Sequence, residues 1–251
     1  RAAIRPLPGF EFSITRNAQF CGDKPPCGVG AFWDVLTGRD NVGENVSASK
    51  EPGNQLATYE ARWGGRIGGV PVSLYFQNTG ETIDNKIPRP LRSLGLYSIS
   101  TWGERPSGAR WRAHIEFSTT TCSDFNYAQS ADCAYENGLF TAGYRYRGRV
   151  LGHSTDSDSR QFVVGLLYAQ GAQSWTARLR RAEINRIGGV PQVNQLLAKG
   201  PERWWVGEGV FKRPLARGEF ELAGGLEYHQ DLLTDSARLE PKGYLRWTQA
   251  F

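Results

Sequence analysis

Apolar and polar residues alternate with a period of two along most of the chain. In Arg110-Trp111-Arg112-Ala113-His114-Ile115-Glu116-Phe117, ionisable and apolar side chains take turns without a break. In Ser174-Trp175-Thr176-Ala177-Arg178-Leu179-Arg180, Trp175, Ala177 and Leu179 oppose Thr176, Arg178 and Arg180. This is the pattern of a strand with one apolar and one polar face. It predicts ten strands, at 9–20, 55–64, 70–79, 91–102, 109–121, 159–170, 174–186, 203–213, 218–229 and 238–251. The links between them alternate in length. Long or polar links at 21–54, 80–90, 122–158, 187–202 and 230–237 are interleaved with short turns at 66–69, 103–108, 171–173 and 215–217. Short turns on one side and long loops on the other define an up-and-down antiparallel barrel of the transmembrane kind, with the long loops outside the cell. The fold class predicted is all-β, one barrel domain over residues 1–251.

Composition agrees with this reading. The mean hydropathy of −0.48 leaves no helical membrane span, and the longest apolar run, Phe162 to Ala169, is far short of the ~20 residues such a span needs. A barrel strand needs no such run, because only every second residue faces lipid. The 8 Trp, 10 Tyr and 12 Phe suit aromatic girdles at the membrane borders. The closing segment Gly243 to Phe251 ends on an aromatic, which resembles the assembly signal of bacterial outer-membrane barrels. The chain contains no methionine and opens inside strand-like sequence, so it is expected to be a mature or truncated piece.

Charge and cysteines refine the picture. By alternation the interior receives Glu60, Arg62, Arg110, Arg112, His114, Glu116, Arg178, Arg180, Glu208, Lys212, Glu219, Glu221, Glu227 and Arg246. With both signs present, mutually compensating ion pairs are the simpler reading and a selective channel the alternative. Cys21 and Cys27 bracket a Pro-Pro turn, and Cys122 and Cys133 bracket a polar loop. Two local disulfides fit an oxidising compartment. A four-thiolate zinc site is the alternative, but neither pair has Cys-x-x-Cys spacing and no histidine is near. The net charge of +5 suggests an anionic partner, of which nucleic acid is only one candidate.

Several motifs resemble a known family. They are Asn17-Ala18-Gln19-Phe20-Cys21-Gly22, Phe32-Trp33-Asp34-Val35-Leu36-Thr37-Gly38-Arg39-Asp40-Asn41, Glu51-Pro52-Gly53-Asn54-Gln55-Leu56-Ala57 and the run Gly143 to Ser159. Together they resemble the capsule assembly protein Wzi family, across most of the chain. The resemblance implies an outer-membrane barrel, roughly eighteen-stranded, that holds capsular polysaccharide at the cell surface. Family members are about twice this length, so the chain is expected to be their C-terminal part.

Candidate chemistry lies in the predicted outer loops. Tyr144-Arg145-Tyr146-Arg147-Gly148-Arg149 alternates aromatic and arginine, which as a strand places three guanidinium groups on one face and two tyrosines on the other. Arginine forks pair with the carboxylates of acidic sugars. The plainer role is bridging lipopolysaccharide phosphates or stacking in the barrel mouth. His153-Ser154-Thr155-Asp156-Ser157-Asp158-Ser159 gathers histidine, hydroxyls and carboxylates. Neighbours this close seldom orient a nucleophile, a base and a third group, so catalysis is not expected. Calcium at Asp156 and Asp158 has too few visible ligands, and a hydrogen-bonded turn is favoured. Asp40 to Asn45 only faintly echoes a calcium loop. Phe32-Trp33-Asp34-Val35-Leu36 reads as a short helix or inserted hairpin whose aromatics plug the lumen, stack on sugar or simply pack, packing being favoured.

The resulting expectation is a non-enzymatic surface lectin for anionic capsular or extracellular polysaccharide. Arg39, Lys50, Arg145, Arg147, Arg149 and His153 supply charge and hydrogen bonds, and Tyr144 and Tyr146 stack. No cofactor, metal or nucleic acid is expected. Outer-membrane lipid and lipopolysaccharide surround a monomeric barrel. A substrate-selective diffusion porin is the alternative.

Overall fold

A computed structural model describes residues 1–21, 27–37, 53–81, 93–123, 129–130, 135, 140, 143–187 and 200–249. Eleven strands form one sheet in which every neighbouring pair is antiparallel. In chain order they are β1 (Ala2–Leu7), β2 (Phe10–Phe20), β3 (Gly53–Ile67), β4 (Val70–Glu81), β5 (Ser93–Glu104), β6 (Arg110–Thr119), β11 (Arg160–Gln170), β12 (Gln173–Ile184), β13 (Glu202–Leu215), β14 (Gly218–Asp231) and β15 (Ala237–Gln249). Helix α1 (Val29–Thr37) follows β2, and four two-residue strands lie between β6 and β11: β7 (Cys122–Ser123), β8 (Gln129–Ser130), β9 (Arg145–Tyr146) and β10 (Arg149–Val150).

All ten strands expected from alternation are present, and β1 is a further one. Its short sequence contains Pro6, and the pairing with β2 shifts register between Ile4 and Leu7. Proline removes one ladder donor, which an edge strand tolerates. Edge strands β1 and β15 close the sheet order at its two ends. The short turns all fall at one end of the sheet. At Ile67–Val70 the turn residues Gly68 and Gly69 have φ of +57° and +82°, the two left-handed positions that a tight two-residue hairpin requires. The second Arg-Ile-Gly-Gly-Val-Pro copy, from Arg186, begins at the opposite end and then leaves the described residues.

Register fixes the two faces. The outward face carries half-exposed aliphatics such as Leu74, Ile99, Ile115, Val164 and Leu179. Near the short-turn ends it carries Trp111, Tyr168, Trp175 and Phe211, aligned in one register row. Higher up, Phe76, Tyr97, Phe117 and Phe162 align likewise, with ring centroids 5.3 Å apart for Phe76–Tyr97 and 6.1 Å for Tyr97–Phe117. An aqueous surface does not favour so much exposed apolar area, but lipid does.

The opposite face is charged and internally paired. Arg1 meets Glu60 at 3.0 Å, Lys212 and Arg246 converge on Glu221 at 3.0 and 2.5 Å, Lys242 meets Glu227 at 2.6 Å, and Arg178 pairs with Glu208. The expected mixed-sign pairing is therefore present for Glu60, Arg178, Glu208, Lys212, Glu221, Glu227 and Arg246, while Arg62, Arg110, Arg112, His114, Glu116, Arg180 and Glu219 make no ion pair among the described residues.

Candidate functional site

The site lies at the end of the sheet that carries the long links. The β6–β11 connection leaves the sheet at Thr120 and returns at Ser159, and these two residues clasp each other. The Thr120 amide donates to the Ser159 carbonyl (2.9 Å), the Ser159 amide donates to Thr120 Oγ1 (3.0 Å), and Thr120 Oγ1 donates to the Asp156 carbonyl (2.6 Å). The His153–Ser159 run is a folded polar turn at the base of the loop, with Thr155, Asp156, Ser157, Asp158 and Ser159 all buried. Asp156 and Asp158 take left-handed backbone conformations, φ +59° and +51°, which aspartate tolerates better than most residues.

Arg145 anchors the other limb. Its guanidinium donates to Asp156 Oδ1 at 2.6 Å, and both side chains are 1% exposed. The Ser157 amide donates to the same oxygen at 2.9 Å. A charge so deeply buried requires its partner, which makes Arg145 a structural residue rather than a ligand contact. Asp156 is thereby committed to Arg145, so the calcium reading of Asp156 and Asp158 loses one of its two carboxylates.

Sequence alternation predicted one strand with three arginines on a face, and the structure corrects this. Arg145-Tyr146 and Arg149-Val150 form the two limbs of a hairpin, paired Arg149 to Tyr146 and Val150 to Arg145. Arg147 and Gly148 make its turn with φ of +49° and +77°. Gly148 ends the alternation because it supplies a turn position at no steric cost. The three arginines consequently part company. Arg145 points into the loop's own core, while Arg147 and Arg149 are exposed. The Arg147 guanidinium lies 5.3 Å from the ring centre of Tyr146, itself 62% exposed. Among the described residues neither Arg147 nor Arg149 is ion-paired.

Beneath the hairpin, between the loop and the inner wall of the sheet, is a cavity of about 330 Å³. Thr58, Gln77, Thr79 and Asn17 form part of its floor, and Tyr135, Tyr144, Leu151 and His153 part of its cover. Tyr135 and Tyr144 stack with centroids 6.3 Å apart and planes 22° apart. Gly152 is required here, since a Cβ would meet the Tyr135 ring at 2.2 Å. Tyr135 Oη accepts the His153 amide at 2.9 Å. Burial pushes the Tyr135 phenol up to about 12, so it stays neutral and keeps its proton to donate. His153 accepts the Thr155 amide at Nδ1 (3.2 Å), leaving Nε2 to carry the proton of the neutral ring. Burial, and then the positive charge of Arg180, hold its pKa below the ordinary histidine value. The described cavity lining is thus uncharged, with hydroxyls, planar amides, two tyrosine rings and the aliphatic side chains of Leu56, Leu96 and Leu151.

Of the residues expected to form the site, Tyr144 and His153 meet at the cavity, and Tyr146, Arg147 and Arg149 sit on the hairpin above. Arg39 and Lys50 lie outside the described residues. Cys21 and Cys27 form the expected disulfide. Cys133 and the Cys122 side chain fall outside the description. Tyr135 was not anticipated, because it stands alone in a polar loop. The floor residues Thr58 and Thr79 share a hydrogen bond of 2.9 Å, and only the pairing of β3 with β4 reveals them as neighbours.

Helix α1 stands elsewhere than in a lumen. Arg16 and Phe20 point to the outward face of β2, alternating with the inward Ser13, Asn17 and Gln19. Arg16 donates to the Val35 and Leu36 carbonyls at 2.5 and 3.1 Å and to Gln55, and Phe32 meets Phe20 at 5.7 Å. Of the readings weighed for its aromatics, packing is the one that holds for Phe32, and lumen plugging is not.

An up-and-down antiparallel wall with an apolar outward face and a charged inward one defines a β-barrel protein of the outer-membrane type. The chain belongs to the capsule assembly protein Wzi family, whose profile matches residues 1–243. Its fold is similar to that of Wzi from Escherichia coli, described as an outer-membrane protein involved in group 1 capsule assembly and a carbohydrate-binding β-barrel. That likeness has a TM-score of 0.70 at 19% identity, over 96% of this chain and 47% of the other. The chain therefore spans about half the length of that structure. Among curated proteins, none matches it.

Proposed function

We propose that this chain is part of a non-enzymatic outer-membrane lectin whose surface loops hold anionic capsular or extracellular polysaccharide. The observation that carries the reading is the Arg145–Val150 hairpin. A buried ion pair fixes its root, and its tip offers Tyr146, Arg147 and Arg149 to solvent. Two guanidinium forks beside an exposed ring suit a uronic-acid polymer, the forks pairing with carboxylates and the ring packing on a sugar face. The uncharged cavity below supports the same reading. Its size falls at the lower end of ligand pockets, about 300–1,000 Å³, which suits one neutral sugar ring of the repeat unit. Membership of a capsule assembly family, and likeness to a barrel described as carbohydrate-binding, add support.

The test is binding of acidic capsular polysaccharide to the full-length natural protein, beside capsule retention on cells. Arg147→Ala with Arg149→Ala is expected to weaken binding about tenfold or more and to shed capsule, since exposed charge-assisted contacts contribute about 1 kcal/mol or more each. Unchanged binding and retention overturn the reading. Rapid solute entry into vesicles carrying the same protein, with retention unaffected, makes it a diffusion porin instead.

A further inference from the structure

Helix α1 presents an apolar stripe that the described residues leave exposed. Val29, Trp33 and Leu36, spaced i, i+4 and i+7, are 86%, 57% and 54% exposed, and Phe32 beside them is 47% exposed. This spacing puts them on one side of the helix. The other side holds the buried Val35 and the Arg16 clamp, which caps the helix's terminal carbonyls. Asp34 is the only ionisable residue on α1. An exposed apolar stripe with so little charge requires an apolar partner.

The helix's position supplies that partner. It is docked on the outward face, the face that meets lipid elsewhere on the sheet. Its height matches the border of the membrane as well. Phe20, which packs against Phe32, lies ten residues along β2 from Phe10 at the short-turn end. Trp205 lies ten residues from Leu215 on β13, and Tyr228 ten residues from Gly218 on β14. Both point outward in one register row with Phe117, Phe162 and Arg181, whose guanidinium lies 5.6 Å from the Trp205 ring centre, as suits a membrane border rather than its interior. A transmembrane strand spans the hydrocarbon layer in about 9–11 residues, so all three aromatics sit at its outer border. Tryptophan favours this interface.

We propose that α1 is an interfacial helix, lying flat at the outer border of the hydrocarbon layer with Val29, Trp33 and Leu36 against lipid acyl chains. Arg16 and the neighbouring Cys21–Cys27 disulfide hold it there. The proposal goes beyond polysaccharide binding and rests on the outer-membrane placement of the wall. It gives α1 a role in seating the barrel.

The test uses the full-length natural protein in phosphatidylcholine vesicles whose acyl chains carry bromine either near the headgroup or near the chain end. Subtracting the spectra of Trp33→Phe and of Trp205→Phe from that of the parent isolates the emission of each tryptophan. Trp33 is expected to emit in the blue and to be quenched by bromine, more by the shallow label than by the deep one. Leu36→Asp is expected to shift that emission to the red. Quenching of Trp205 without quenching of Trp33 overturns the proposal while leaving the membrane placement intact. If neither is quenched, the membrane placement itself falls and the proposal with it.

Discussion

Arg145 and Arg147 are two residues apart and have opposite tasks. Removing Arg145 leaves Asp156 charged in a buried site, and breaking such a pair costs about 3–5 kcal/mol. Arg145→Ala is therefore expected to open the 122–158 loop to protease, and Arg147→Ala to leave it as resistant as before. His153 adds a pH dependence. Its folded pKa is depressed, so the unfolded loop takes up a proton first as pH falls. The groups facing it are Thr155, the Tyr135 hydroxyl and the Arg180 charge. Loop stability is full above the ordinary value of 6.5 and declines as pH drops below it toward the lowered folded value. Amide protection across His153–Ser159, taken relative to the intrinsic exchange rate at each pH, should fall as pH drops below 6.5, and His153→Gln should abolish that fall. None of this is legible in the sequence. Arg145 and Asp156 are eleven residues apart with nothing to mark them as partners, and a buried arginine reads as an alternating strand residue until Gly148 is seen to turn the chain.

The strands themselves were legible. Expected and observed boundaries agree to within three residues, as at 218–229 against Gly218–Asp231, because a half-buried strand writes its pleat directly into the order of residues. β1 escaped because Pro6 interrupts its alternation. α1 was legible as an element, but its docking side depended on Arg16 and Phe20 sharing the outward face, a question of register that composition cannot answer. Two elements invite tests. Gly68→Val forces a β-branched residue into a left-handed turn, at about 1–2 kcal/mol. It is expected to slow assembly of the β3–β4 hairpin, read as delayed appearance of the folded barrel on cold gel electrophoresis. Reducing Cys21–Cys27 opens a ring of sequence separation 6, for which chain entropy predicts a loss of about 2 kcal/mol. Faster amide exchange in α1 with unchanged exchange in β11 is the expected result.

At the scale of the whole wall, ion pairs run along the inward face and also reach the outward face toward the long-link end, where Glu183 pairs with Arg181 and Arg203. The inward ion pairs bind neighbouring strands to each other, as Lys212 and Arg246 do on Glu221. Glu221→Gln is expected to lower the thermal midpoint of the barrel while leaving polysaccharide binding unchanged, since the hairpin proposed to hold glycan lies at the opposite end. A drop in binding at temperatures where the barrel remains folded would place the glycan inside the lumen.

The clasp of Thr120 on Ser159 has an evolutionary consequence. β6 and β11 pair directly through ten register positions, and the segment between them is rooted at that closure, with further ties from Gln19 to the Gly143 carbonyl and from Arg186 to Thr121 and the Asp158 carbonyl. Because β6 and β11 pair directly, the segment between them can change in length and composition while the wall keeps its register. Under the proposed function, a bacterium whose coat changes under immune or phage pressure can then retune the glycan-facing hairpin without refolding the wall that carries it.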